Sequence, residues 1–538
     1  MSGTKRNPSD TSLNLQTDWD VVIVGSGHNG LVAAAYLAKA GRSVLVLEKN
    51  DYLGGATTSQ RVFPDYEAHL SRYAYLVSLL PQQIIADLSL NFETRRRQVA
   101  SYTPWISPAG AAHGLLLWND LPEKSRQSLA ELSGDDSAWN GYQRLMQLET
   151  AIAELAWPTL LQPLQHRESF RKQLHSADQK RAWEAFVERP LGEVLEELIP
   201  NDVLRGLLLT DGKIGVFTHP HDPTLLQNRC FLYHVIGGGT GEWRVPVGGM
   251  RALVEALVTR CAAFGVRCLA NTPVTSIQVG TRSHEIYFDT GDGTSSVRAK
   301  RVLINAGPRT FARLLGEVYE PQSTDEGSVI KMNMLLRRLP QVKAMGVTPE
   351  QAFCGSLHLD EGYQQMLESY ATANSGQLPE RPPCEVYCHT LTDPSILSPE
   401  LVAQGYHTLT LFGLDMPYRL FQVEHDQRKA MVRERYLDAL DRMCRESFRD
   451  CLALDRNGQP CVEVKTPQEL EQEVDLDLGN IFHNTLSWFF TDDQEQVGQW
   501  GVETRYSGIY RAGSSAKRGG AVSGIPGYNA ARCVLEQW

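Results

Sequence analysis

The stretch that most constrains this chain is Asp20–Gly55, which reads DVVIVGSGHNGLVAAAYLAKAGRSVLVLEKNDYLGG. Val21–Val24 form an apolar run suited to a buried strand. An alanine-rich helix follows, then a second apolar strand ending at Glu48. Gly25, Ser26, Gly27, His28, Asn29 and Gly30 lie at the first turn in the pattern G-x-G-x-x-G. Gly25 permits the tight turn, Gly27 lets the backbone approach a pyrophosphate, and Gly30 lets the helix pack closely on the strand. The helix starting near His28 presents unpaired N–H groups and the positive end of its dipole, which favour a diphosphate. Glu48 lies 18 residues past Gly30, placed to accept from a ribose 2′-OH and to repel a 2′-phosphate. An isolated glycine pattern is often an ordinary turn. Here strand, turn, helix, strand and acid fall in one register, which demands a nucleotide-binding α/β unit.

Beyond Glu48 and Lys49 comes a second glycine pair, Gly54-Gly55, followed by Ala56, Thr57 and Thr58. This extension resembles the FAD-dependent amine oxidase and phytoene desaturase superfamily, in which the second pair lies along the diphosphate and ribityl chain. A simple NAD dehydrogenase has no need of it. The resemblance therefore implies FAD.

At 538 residues the chain is long enough for two domains, and 42% hydrophobic with 21% charged residues is a soluble, globular composition. A net charge of −11 argues against nucleic acid as a partner, and Arg95-Arg96-Arg97 reads as a solvated loop. No apolar run reaches the ~18 residues of a membrane span. Met1–Asp18 is polar, without the core of a signal peptide, and reads as a disordered tail on a cytoplasmic protein. The ten cysteines contain no C-x-x-C pair, so neither a thioredoxin-type redox disulfide nor a disulfide framework is expected. Cys384, Cys388 and His389 lack a fourth ligand, so no metal is expected.

The expected fold class is α/β, a Rossmann-like FAD-binding domain interleaved with an α+β substrate domain. Residues 1–18 are the tail; 19–78, 226–310 and 478–538 make the FAD domain; 79–225 and 311–477 make the substrate domain. The stretch from about 80 to 225 reads as mostly helical, with Ser128–Leu155 and Leu191–Leu208 at helical spacing. A hairpin-like Ile286–Arg298 and a strand Arg301–Asn305 lead to Ala306-Gly307-Pro308. At the end of the chain, Gly508–Gly513 and a glycine-rich loop precede a last helix from about Tyr528. Such a strand, loop and helix start form a second anion-friendly terminus.

Taken together, the chain resembles the phytoene desaturase-related flavoproteins, and within them the group named pyridine nucleotide-disulfide oxidoreductase domain-containing protein 2. The motifs carrying the likeness are Gly25–Leu31, Ser71–Leu76, Leu79-Leu80-Pro81, Asp211–Gly215, Thr466-Pro467, Gly479–His483 and Gly513 through Ala531. The resemblance implies that Val274 touches the adenine half of FAD through its backbone and that Ala306 and Gly307 cross beside the cofactor. It also implies that Gly513, Gly519, Gly520, Ala521 and Val522 lie against the flavin and ribityl chain. Tightly bound NAD(P) is not expected, because the chain has neither a second G-x-G-x-x-G unit nor a redox C-x-x-C. Many relatives carry His-Pro before the last glycines, where this chain has Lys517-Arg518. That pair either stabilises an anionic reduced flavin or sits at a solvent-exposed loop tip.

Flavin oxidation of a C–H bond needs few catalytic side chains. Lys331, in Gly327-Ser-Val-Ile-Lys331, is similar to the amine oxidase lysine that holds a water against flavin N5; the alternative is a strand-end lysine in water. Arg72 and His69, near Tyr73 and Tyr75, are candidates for substrate anchor or proton shuttle, and His483 is a further catalytic candidate. No cysteine lies in the C-terminal flavin loop, Cys533 being in the following helix, so FAD is expected to be noncovalent.

The first functional expectation is an FAD-dependent oxidoreductase that desaturates, isomerises or oxidises an apolar isoprenoid- or carotenoid-like substrate. Its electrons would pass to oxygen or a quinone, and the apolar stretch Leu76–Leu90 would wall a substrate tunnel. Lys331 supports an amine or amino-acid oxidase instead, and the charged helix near Arg433–Arg449 supports a flavin-binding interaction protein with little turnover. A lipid-soluble substrate implies weak peripheral membrane contact through apolar insertion, because the net charge of −11 opposes anionic lipids.

Overall fold

Val21–Val24 and Val44–Leu47 carry no polar side chain, and strands of that kind pair where both faces are covered. In the computed structural model, which describes residues 16–538, Asp18–Val24 lies between Val44–Leu47 and Thr294–Ile304 and runs parallel to both. Arg267–Leu269 extends one side. On the other, the first half of Thr294–Ile304 takes the hairpin Val274–Gln278/His284–Asp289, and its last residues pair in parallel with Ile509–Arg511, completing a seven-stranded sheet. Most of the expected tail lies outside the described residues. Asp18 opens the first strand, paired with Arg298 at 2.9 Å, so ordered structure begins inside the stretch assigned to the tail.

Helix His28–Lys39 is buried along nearly its whole length, which its small residues Gly30 and Ala33–Ala35 allow. It packs against helices Arg251–Ala263 and Ile525–Glu536. A Cβ on Gly527 would overlap the Asn29 carbonyl oxygen, so the last helix lies on the first backbone to backbone.

A second seven-stranded sheet runs in the order Val462–Lys465, Ile330–Leu336, His407–Gly413, Cys384–Tyr387, Ser356–Leu359, Val99–Ile106 and Ala112–Trp118. Its last two strands are a hairpin from within the stretch read as mostly helical, a correction to that reading. The helical spacing from Ser128 is also interrupted: Gly134, at φ +81°, ends helix Pro122–Ser133, and a new helix spans Ser137–Ala156.

The second sheet has two buried faces of different character. Ile330, Met332, Met334, Val386, Leu357, Leu409 and Leu411 pack on helix His425–Met443 through Val432, Tyr436, Leu437 and Leu440. The alternate residues face the helical layer of the first half. Lys331, Phe412, Glu385 and His358 are directly paired across four strands, and Asn333, Thr410, Tyr387, Ser356 and Ser101 form the adjacent row.

The helical layer is tied to this sheet by Lys213, which follows helix Asp202–Leu209, and Asp415, which follows strand His407–Gly413. Both are almost fully buried; Lys213 Nζ stands 2.9 Å from Asp415 Oδ1 and donates to Oδ2 at 3.0 Å. Asp415→Asn keeps a side chain that tolerates φ +55° but strands the ammonium. Breaking such a pair costs about 3–5 kcal/mol. Denaturant unfolding is expected to show that loss for Asp415→Asn and a smaller loss for Lys213→Met/Asp415→Asn.

Candidate functional site

The first turn is built around a residue that sequence reasoning did not assign to the site. Asn305, at the end of Thr294–Ile304, donates through Nδ2 to the carbonyls of Gly25 (3.1 Å) and Gly27 (3.3 Å). A Cβ at Gly25, whose φ is +92°, would overlap the Asn305 carbonyl oxygen, and one at Gly30 would overlap the Gly25 carbonyl oxygen. At Gly27 it would stand 3.0 Å from Asn305 Nδ2. Gly27 thus packs closely on Asn305 and also lines the cavity. Ser26 N and Oγ donate to Glu48 Oε2 at 2.8 and 2.7 Å, and Asn50 N donates to Oε1 at 2.9 Å. Glu48 thus braces the turn, and Oε1 keeps a lone pair for a further donor. The second glycine pair docks alongside: Gly54 N donates to Ser26 O at 3.2 Å, and Gly27 and Gly54 form a β-bridge.

Helix His28–Lys39 has no side-chain cap on its first turn. His28 Nδ1 is 2.8 Å from Thr57 Oγ1, while His28 Nε2, Asn29 Oδ1 and His483 Nδ1 are buried without partners among the described residues. An unmet buried polar atom costs about 1–3 kcal/mol, so a polar ligand along this slot is favoured. Burial lowers the His28 imidazole to about 3 and the His483 imidazole to about 4, leaving both rings neutral at physiological pH.

The slot opens into one cavity of about 690 Å³, within the roughly 300–1,000 Å³ of small-molecule sites. Gly25, Gly27, His28, Asn29, Glu48, Lys49 and Gly54–Thr57 line it on one side; Val274, Ala306, Gly307, His483, Ala521 and Val522 line it elsewhere. Ser26, Gly30, Gly513, Gly519 and Gly520 stand behind this lining and fix the turns. Gly513 abuts Asn305 Oδ1, where a Cβ would come within 2.7 Å, and one at Gly520 would come within 2.6 Å of the Tyr233 hydroxyl.

Lys331 is on the cavity wall and almost wholly buried, not at a strand end in water. Its Nζ stands 4.2 Å from the Tyr75 ring centroid and 4.4 Å from that of Phe412, and donates to Thr410 Oγ1 at 3.3 Å. Burial holds its ammonium well below the usual lysine range. Arg72 and His69 are not brought into the cavity. Arg72 Nε donates to Glu463 at 2.9 Å and Nη1 to Gln60 at 2.9 Å, and His69 Nε2 lies 2.8 Å from Glu67. Tyr73 and Tyr75, from the same segment, do line it.

Three further readings are corrected. Arg97 is no solvated loop residue: it is buried on the cavity wall, with Nη1 donating to Ser356 Oγ at 3.1 Å. Arg518 faces neither the cavity nor solvent; it donates to the carbonyls of Thr159 (3.1 Å), Gln162 (2.6 Å) and Trp500 (2.7 Å), clamping separate loops. The apolar stretch after Leu76 builds no tunnel, because Ile84 and Leu88 pack into the first domain's core with Val32 and Leu80, and of Leu76–Leu90 only Leu76 lines the cavity.

Glu149, Asp211, His358, Glu385 and Tyr387 also line the cavity and were not singled out as site residues. Three of them are alternate residues of fully buried strands, SLHL and CEVY, and polar residues alternating in such strands are the signal that points to them.

Residues 23–82 match the family described as NAD(P)-binding Rossmann-like domain. The chain is 42% identical to an uncharacterized protein of Mycobacterium tuberculosis, over 96% of this chain and 97% of that protein. It is 30% identical to pyridine nucleotide-disulfide oxidoreductase domain-containing protein 2 of Rattus norvegicus, over 99% and 96%. Among solved structures, cyclohexylamine oxidase from Brevibacterium oxydans shares the fold at TM-score 0.54 and 16% identity, covering 97% of this chain and 99% of that one.

The His28 ring generates a pH test. The folded protein keeps it unprotonated down to about pH 3, whereas the unfolded chain protonates it near pH 6.5. The unfolded state binds more protons in that window, so stability falls as pH drops through it, by up to about 1.4 kcal/mol per unit. Thermal melts at pH 7 and pH 5 are expected to show a smaller acid-induced loss in His28→Asn than in the unsubstituted protein.

Proposed function

The chain belongs to the family of pyridine nucleotide-disulfide oxidoreductase domain-containing protein 2, and on that footing we propose that it is an FAD-dependent oxidoreductase holding its cofactor noncovalently. The observation that carries this reading is the continuity of one cavity from two glycine-rich turns to Lys331 and the polar face of the second sheet. Gly25–Gly30 with the first helix terminus would hold the diphosphate, Glu48 the ribose, Val274 the adenine side, and Ala56, Thr57, Ala521 and Val522 the ring side. The orphaned polar atoms of His28, Asn29 and His483 fit a ligand rich in donors and acceptors.

Bound there, FAD supplies a two-electron acceptor for a hydride lost from a substrate C–H bond. Lys331, whose ammonium burial makes easier to deprotonate, can hold a proton at Nζ or orient a water. Tyr75 and Phe412 shield that amine from bulk solvent. The family's name suggests a pyridine nucleotide and a redox disulfide. The sequence carries neither a redox C-x-x-C nor a second nucleotide turn, and our reading takes oxygen or a quinone as the acceptor.

The chamber's walls favour an organic substrate with an apolar body and a polar end. Leu117, Met146, Leu207 and Leu208 supply the apolar side, and Glu385, His358 and Asp211 the polar side. A carotenoid-like hydrocarbon is the second reading, favoured by that apolar side alone; it would leave the polar row without partners.

Acid precipitation of purified protein is expected to release a yellow supernatant with the mass of FAD. Gly27→Val is expected to yield colourless protein, since its side chain would collide with Asn305. Colourless unsubstituted protein that also fails to take up added FAD would overturn the assignment.

A further inference from the structure

The end of the chamber away from the glycine turns holds more acid than base. Glu149 projects from helix Ser137–Ala156, Asp211 from the turn after helix Asp202–Leu209, and Glu385 from strand Cys384–Tyr387. Glu361 stands behind them: its Oε2 is 2.5 Å from His358 Nδ1 and accepts from Thr210 Oγ1 at 2.8 Å. His358 Nδ1 is also 3.7 Å from Glu385 Oε1, whose other oxygen accepts from the Tyr387 hydroxyl. The one permanently charged base facing this group is Arg97, which donates to Ser356 and makes no ion pair among the described residues. The other titratable groups on this part of the wall include His234 and Tyr233 from helix Leu226–Val235, Tyr142 from helix Ser137–Ala156, Tyr75, Lys331, and Glu242, which is paired with Arg96 at 3.0 Å and Arg244 at 3.2 Å. Glu149, Asp211 and Glu385, with Glu361 behind them, thus outnumber the bases beside them, Arg97 and the imidazoles of His358 and His234.

A second observation points to a ligand. Ser101 Oγ, on a side chain only 7% exposed, lines the chamber and has no hydrogen-bond partner. It lies on the strand next to Ser356 and His358. By strand count, Glu385 sits two strands from Lys331, roughly 10 Å at about 4.8 Å per strand.

We propose that this acidic end of the chamber is a recognition site for an organic cation, an ammonium or guanidinium group carried by the substrate at a distance from the carbon presented near Lys331, and that the cation binds in exchange for a proton. The proposal deepens the oxidoreductase reading and rests on it, because it treats the chamber as that enzyme's substrate side. Neutral ligands leave the acids as they are. Burial pushes Glu385 up to about 8, raises Asp211, and raises Glu149 well above the usual carboxylate range, so the empty chamber disfavours their ionised forms. An entering cation stabilises a carboxylate, and the displaced proton leaves to solvent. Arg97 is the one guanidinium beside the group, and the acids outnumber it.

The test uses holoprotein with n-hexylammonium as probe and n-hexanol as its neutral match in length. Calorimetry in two buffers of different ionisation heat at pH 6, 7 and 8 counts protons directly. Hexylammonium is expected to bind with release of about one proton, its affinity rising up to about tenfold per pH unit. Hexanol is expected to bind weakly and without proton release. Asp211→Asn and Glu149→Gln are each expected to weaken hexylammonium at least about tenfold while keeping the FAD content of the unsubstituted protein. Equal binding of both probes, hexylammonium binding without proton release, or unchanged affinity in both variants would overturn the cation site. FAD content, measured on the same samples, reports separately on the oxidoreductase reading.

Discussion

Everything near the first turn depends on how closely three backbones meet at Asn305. Its amide donates to the carbonyls of Gly25 and Gly27, and its Oδ1 lies against Gly513. Residues far apart in sequence are thereby brought within side-chain contact, and Gly25, Gly30 and Gly513 leave no room for a Cβ. The glycines of the nucleotide pattern are thus demanded by the protein's own packing before any ligand is considered. A part-buried amide whose nitrogen is shared by two carbonyls fixes geometry in a way an apolar residue of that size would not.

The second sheet follows a different constraint. A sheet covered on both faces usually carries apolar residues on both. Here one face is methionine- and leucine-rich against helix His425–Met443, and the other carries Lys331, Glu385 and His358 in one paired row. Full ionisation of such groups in an apolar interior would be prohibitive, and the shifted protonation of Lys331 and Glu385 is how the burial is accommodated. The cost of holding unmet polar atoms next to open space is the mark of a binding chamber.

How much of this was legible in the sequence divides by the range of the signal. The nucleotide unit was legible because its parts are local: an apolar strand, a fixed glycine spacing, a helix and an acid. Lys331 was legible by its motif, although the sequence left open whether it lay in water. Arg72 and His69 were misplaced because adjacency to Tyr73 and Tyr75 says nothing about which way a short segment turns, and Glu463 and Glu67 hold them elsewhere. Arg97 read as surface charge, and Arg518 as either a flavin neighbour or surface charge, because their partners, the Ser356 hydroxyl and the carbonyls of Thr159, Gln162 and Trp500, are remote in sequence. Glu385 and His358 were hidden for the opposite reason. Strands of four residues are too short for alternation to stand out, and their meaning appears only once the register sets them side by side.

The last strand and helix, Ile509–Arg511 and Ile525–Glu536, complete a sheet and a helix layer begun at Asp18 and His28. A ribosome delivers these parts in order, at about 5–20 residues per second. For most of its synthesis the chain therefore carries an uncovered face on the Asn29 helix, and once Thr294–Ile304 is made its edge stays open until Ile509–Arg511 follows. Contacts of such long sequence separation form slowly, since the entropy of closing the loop is lost before the contacts stabilise anything. The nucleotide cradle is thus among the first segments made and among the last to be finished. A chain ending a few tens of residues early would lose the far wall of a site whose signature lies entirely at its beginning.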